Sequence, residues 1–166
     1  MKNTITVVLG LLLMTSFSYG QESDVLDKLS TISDQYGNNF HRSEVGDKVT
    51  LIFIEGTNTV LPEIYAKFKG KQLVKNVRVI GGWKDVMPGV PSETKLKHMT
   101  EGFRSSEGLG NDSYPILFDL NSEIFRMLKL KKYSVVTVFQ NEQKVDIEDF
   151  GSDRIEFLKG IRGYFN

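Results

Sequence analysis

Lys48-Val-Thr-Leu-Ile-Phe-Ile-Glu55 is the stretch that decides the fold. It is a near-continuous apolar run rich in branched residues, the signature of a central strand covered on both faces. Gly56-Thr-Asn-Thr59 breaks the run. Pro62 then falls in the first turn of a helix, where its missing N–H does little harm, and Ile64, Tyr65 and Phe68 carry that helix to Gly70. Strand, polar turn and helix open a βαβ unit.

Downstream, Val77-Arg-Val-Ile80 predicts a second strand, ended by Gly81-Gly82, and Pro115-Ile-Leu-Phe118 a third. The connection over 83–113 is expected to be irregular. Pro88, Gly89, Pro91, Gly102, Gly108 and Gly110 punctuate it, leaving Ser92 to Phe103 as its helical part. Asn121 is placed to cap a short helix carrying Ile124, Phe125 and Leu128. Tyr133–Phe139 and Lys144–Phe150 read as two strands of a hairpin around a polar turn, and Gly151-Ser152 leads into a last helix with Ile155, Leu158, Ile161 and Phe165 inward. Upstream, Val25, Leu26, Leu29, Ile32 and Tyr36 recur at helical spacing, with Ser23 as cap and Gly37-Asn38-Asn39 as stop. The predicted architecture is α/β: a central mixed sheet between helix layers, with parallel strands first and an antiparallel hairpin last.

The first 20 residues read as a targeting segment. Lys2 precedes an apolar run from Ile5 to Met14 that is short for a bilayer span, and Ser18-Tyr19-Gly20 supplies small residues before a cleavage site after Gly20. This predicts an exported product, periplasmic or extracellular, with one domain over 21–166 and no membrane span after cleavage. Charges balance at 21 basic and 21 acidic residues, so no net field draws the chain to nucleic acid or anionic lipid. Cysteine is absent throughout.

The order of elements, and specifically Tyr114-Pro-Ile-Leu-Phe-Asp119, Glu123 to Leu130, Thr137-Val-Phe-Gln-Asn-Glu-Gln-Lys-Val145 and Gly151 before the last helix, resembles the thioredoxin-like superfamily. The likeness is to its secreted thiol-disulfide and peroxiredoxin-like branches, over roughly residues 48 to 166. It implies a three-layer sandwich in which a Cys-x-x-Cys would open the helix after the central strand. Here Thr57 and Val60 occupy those two positions, and Ser134 (or Val135) stands where the family has its cis-proline. Disulfide exchange needs a thiolate, which neither residue supplies. A cis bond before a non-proline residue costs about 2.5–4 kcal/mol, so the bond before Ser134 is expected to be trans.

Two functions follow from the resemblance. One is a redox-inactive binding or scaffolding module for an unidentified protein or peptide of the cell envelope, using the old active-site edge with Asn58, Trp83 and Tyr133 beside Thr57 and Ser134 as its rim. The alternative is an enzyme of the same family with non-thiol or lost chemistry. Trp83 has a competing reading as packing for its own loop. No catalytic residue, cofactor or metal is assigned. His41 and His98 lack a third ligand, no Gly-x-Ser-x-Gly occurs, and Gly108-Leu-Gly110 lacks the context of a phosphate loop. Asp146, Glu148, Asp149 and Asp153 are explained by a half-exposed strand and a helix start, and Lys129, Lys131 and Lys132 by a solvated helix end.

Overall fold

The computed structural model describes residues 21–55, 60–68, 70–83, 89–105, 115–140 and 144–166. The targeting segment, Thr57, Asn58, the hairpin tip at 141–143 and the flanks of the 83–113 connection lie outside them. Five strands form one sheet: β1 (Lys48–Glu55), β2 (Val77–Gly82), β3 (Ile116–Asp119), β4 (Tyr133–Phe139) and β5 (Lys144–Gly151). Their order is β3-β2-β1-β4-β5. β1, β2 and β3 run parallel, while β4 is antiparallel to both β1 and β5. The helices are α1 (Gln21–Leu29), α2 (Val60–Lys67), α3 (Ser92–Ser105), α4 (Glu123–Met127) and α5 (Arg154–Gly160). This is the thioredoxin-like arrangement that the resemblance implies.

β1 sits at the centre because its side chains suit two cores. Val49, Leu51 and Phe53 enter one apolar cluster with Val25, Leu26 and Leu29 of α1 and Ile124 and Phe125 of α4. Ile52 and Ile54 enter the other, with Ile64 of α2 and Phe157 and Leu158 of α5. Alternation along a strand sends neighbours to opposite faces, so burial on both sides demands the unbroken apolar run. Leu96 and Met99 of α3 pack on the α2/α5 side. These contacts make the three layers.

Four local expectations change. The first helix ends at Leu29 rather than Tyr36, and it is already helical at Gln21, so Ser23 lies within it. Beyond the break Asp34 organises the chain: its carboxylate accepts from the Tyr36 and Asn38 amides, both at 2.8 Å. The backbone is thereby turned to bridge Asp34 to Leu117, and the Gln35 side chain accepts from the Ile116 amide at 2.7 Å. The segment thus covers the outer edge of β3, as edge strands require.

Gly81-Gly82 ends β2 from inside: the two glycines are its last paired residues, opposite Phe118 and Asp119, rather than the break after Ile80. A Cβ at Gly81 would come within 2.4 Å of the Trp83 ring, and one at Gly82 within 2.4 Å of the Phe125 ring. The glycines are there for close approach of aromatic rings to backbone.

Asp119, not Asn121, caps α4. Its carboxylate accepts from the amides of Glu123, Ile124 and Phe125 at 2.8, 3.0 and 3.3 Å. Ser122, with φ +49°, makes the turn between strand and helix.

Ile155 is exposed rather than inward. The buried stripe of the last helix is Phe157, Leu158 and Ile161, from which Ile155 is rotated by about 110° at 100° per residue.

Candidate functional site

The carboxyl ends of β1, β2 and β3 form the edge at which open α/β sheets take ligands. Here β1 ends at Glu55 and α2 begins at Val60, the residue that the resemblance sets at the second cysteine position. Beside it, β4 enters the sheet antiparallel, with Tyr133 opposite Ile54 and Ser134 opposite Phe53. Topology therefore brings the end of β1, Val60 and Ser134 to one end of the sheet.

No cis peptide bond occurs among the described residues, and the Tyr133–Ser134 bond is trans. Ser134 is fully buried in the strand, and its Oγ donates to the Lys131 carbonyl at 3.5 Å. A register irregularity falls between Tyr133 and Ser134, where β5 pairs across. A loop that would present a partner's backbone is thus replaced by strand.

The two aromatic residues expected at the rim face inward. Trp83 is 4 % and Tyr133 2 % exposed. The indole meets the Phe118 ring edge-on at 5.1 Å, and its backbone amide donates to the Asp119 carbonyl at 3.2 Å. Tyr133 stacks on Phe157 at 4.9 Å. Both rings underlie the edge. What reaches solvent there is Lys132, whose ammonium lies 5.4 Å from the Tyr133 ring centre, and Ile155, 64 % exposed in the first turn of α5. Arg154 ties that turn to α2 through Glu63 at 3.0 Å, and Asp153 caps it with bonds from the Ile155 and Glu156 amides.

At the end of β3 a cavity of about 340 Å³ opens between α1, α3 and the start of α4, lined by Ile32, Leu96, Phe118, Asp119 and Glu123 among others. Burial pushes the Asp119 carboxyl above its ordinary value, against the pull of its three amide bonds. The bond from Lys28 holds Glu123 below its ordinary value. Asp119 already serves as a cap, and Ser134 Oγ is buried with no base among its bonded partners. The edge offers packing and hydrogen bonding, without an activated nucleophile among the described residues.

The other singled-out groups resolve into structure. His41 and His98 are exposed on separate elements. Asp146 pairs with Lys144 and Asp149 with Lys131. No helix among the described residues is long and apolar enough to cross a membrane. Ile155 was hidden from sequence reading because it fits a three-residue spacing with Leu158; the adjacent Phe157 is the signal that rotates the stripe away from it.

No family model matches the sequence, and no curated protein matches it. Among solved structures the chain is similar to the exposed lipoprotein thioredoxin Etrx1 of Streptococcus pneumoniae, at 16 % identity over 78 % of this chain and 96 % of that one, with a TM-score of 0.46. It is also similar to StoA from Bacillus subtilis (9 % identity, 77 % and 92 % covered, TM-score 0.43). A third is a secreted Mycobacterium tuberculosis disulfide oxidoreductase homologous to DsbE of E. coli (11 % identity, 82 % and 98 % covered, TM-score 0.41). At these scores the likenesses carry nothing about activity, and the fold rests on the strand order and pairing.

Proposed function

We propose that this chain is an exported, redox-inactive thioredoxin-like module that binds a protein or peptide of the cell envelope. The contact edge in this reading is the end of the sheet that carries Lys132 and Ile155, with Thr57 and Asn58 as its candidate residues from the sequence and buried Trp83, Tyr133 and Ser134 beneath the surface. The observation that carries the reading is the complete absence of cysteine from a chain with this strand order. Thiol-disulfide and thiol-peroxidase chemistry both begin at a thiolate. Export rests on the apolar N-terminal segment and its small-residue cleavage pattern.

The solvent-exposed Ile155, in the helix turn that Arg154 links to α2 through Glu63, favours contact over catalysis. Large apolar side chains anchored on rigid elements make efficient anchors for a partner. The test is capture from the envelope fraction with immobilised mature protein. One stoichiometric partner is expected, its retention reduced by Ile155→Asp and unchanged by Ile147→Asp on β5, the other exposed large apolar residue among the described residues. Equal loss with both variants, or with neither, would remove this edge from the account.

A further inference from the structure

The amino ends of β2 and β3, at the other end of the sheet from the proposed edge, hold a cavity of about 930 Å³. Its size lies at the upper end of small-molecule sites, about 300–1,000 Å³. One wall is the 34–41 loop, fixed by the Asp34 carboxylate and by the bond from the Asp34 amide to the Asn38 carbonyl at 2.9 Å. The other wall is the 71–75 loop. It is pinned by reciprocal bonds between Gln72 and Asn166 at 3.0 and 2.8 Å and by the Val74 amide on the Tyr164 carbonyl at 3.1 Å. The cavity is therefore preformed on both sides.

Its charges are unevenly spent. The two acids in the lining are Asp34 and Glu44. Asp34 is buried and accepts from the Tyr36 and Asn38 amides and from the Asn38 side chain at 3.1 Å. Glu44 faces the Arg78 guanidinium at 3.5 Å, and that guanidinium also donates to the Lys75 and Val77 carbonyls at 2.9 Å. Lys71 and Lys75, also in the lining, have no ion-pair partner among the described residues, and exposed His41 stands across from them. Between the charges, Leu73, Val74 and Pro115 give apolar surface.

We infer that this cavity binds a small carboxylic acid with an apolar body, its carboxylate between Lys71 and Lys75 and its hydrocarbon on Leu73, Val74 and Pro115. The two ammonium groups offer a carboxylate charge-assisted bonds, and the apolar lining rewards a ligand that is more than an inorganic anion.

Titration of isotope-labelled protein with sodium octanoate, followed by amide chemical shifts, tests this. Inorganic phosphate serves as the charge-only probe and 1-octanol as the apolar-only probe. Saturable shifts over 38–44 and 71–78 are expected with octanoate, and at least several-fold weaker binding of both comparison probes. Combining Lys71→Gln with Lys75→Gln is expected to weaken octanoate by about ten-fold, the scale of two exposed charge contacts. Both lysines are exposed, so an unchanged spectrum elsewhere verifies the fold. The inference is overturned by octanoate shifts that fail to saturate or lie elsewhere. Equal binding by phosphate or octanol, or indifference to the double substitution, overturns it as well.

Discussion

At the carboxyl ends of the parallel strands, aromatic rings press onto glycine backbone and three amides fill the Asp119 carboxylate; at the amino ends, two lysines without ion-pair partners among the described residues border an open cavity. The first region has the place in the sheet where the superfamily resemblance puts its thiols, yet Trp83, Tyr133 and Asp119 there are engaged in packing and capping. The second has the place where α/β sheets seldom bind, yet it keeps unspent charge. The contrast teaches that position in a fold and chemical readiness are separate properties.

The largest effect expected from this comparison is at Trp83. As a core ring at the packed end, Trp83→Ala should lower unfolding stability by about 3–5 kcal/mol in urea titration. A loss below about 1 kcal/mol would return the indole to the surface and restore it as a binding residue. Next is Gly82→Ala. Its new methyl would meet the Phe125 ring at 2.4 Å, and overpacking of this kind should cost about 1–3 kcal/mol by the same measurement.

The edge was legible where burial governs. Lys48–Glu55 declared a central strand because two cores act on it, and the trans bond before Ser134 followed from residue type alone. Side-chain bonds to backbone were the opaque part. Asp34 fixes the loop after α1 within a helical spacing, and Asp119 rather than Asn121 caps α4, since only the folded chain shows which carboxylate reaches the amides. Gly81-Gly82 looked like a terminator because glycine reads alike whether it ends a strand or admits a ring. The cavity at the amino ends joins loops 34–44 and 71–78, distant in sequence, so no local pattern announces it.

A smaller effect sharpens the comparison through pH. Asp119→Ala should cost about 1–2 kcal/mol at neutral pH through the lost cap. Burial raises the Asp119 carboxyl above its ordinary 3.8, so the folded chain takes up this proton before the unfolded chain does. Its contribution to stability therefore grows as pH falls through the raised value and is complete below 3.8. Wild type is expected to gain on Asp119→Asn during that descent in paired urea titrations; parallel curves would mean the carboxyl is not desolvated. Glu123, held low by Lys28, acts in the opposite sense: its contribution is present above 4.5 and is lost as pH falls through its lowered value.

The smallest effect is at Arg154. Its exposed bridge to Glu63 should contribute under about 1 kcal/mol, so Arg154→Ala should barely shift the urea midpoint, and added salt should shrink the difference further. A larger, salt-insensitive loss would mean that Arg154 supports the edge by packing.

The central claim is that the turn and helix start after β1 keep the place of a thiol site whose chemistry is gone. The most direct measurement is disulfide reduction driven by dithiothreitol, comparing wild type with the double variant Thr57→Cys and Val60→Cys. Wild type should match the no-protein rate, while the double variant should close an intramolecular disulfide and reduce the substrate in proportion to protein concentration. Turnover by wild type, or a double variant whose thiols stay unpaired under oxidising conditions, would contradict the account.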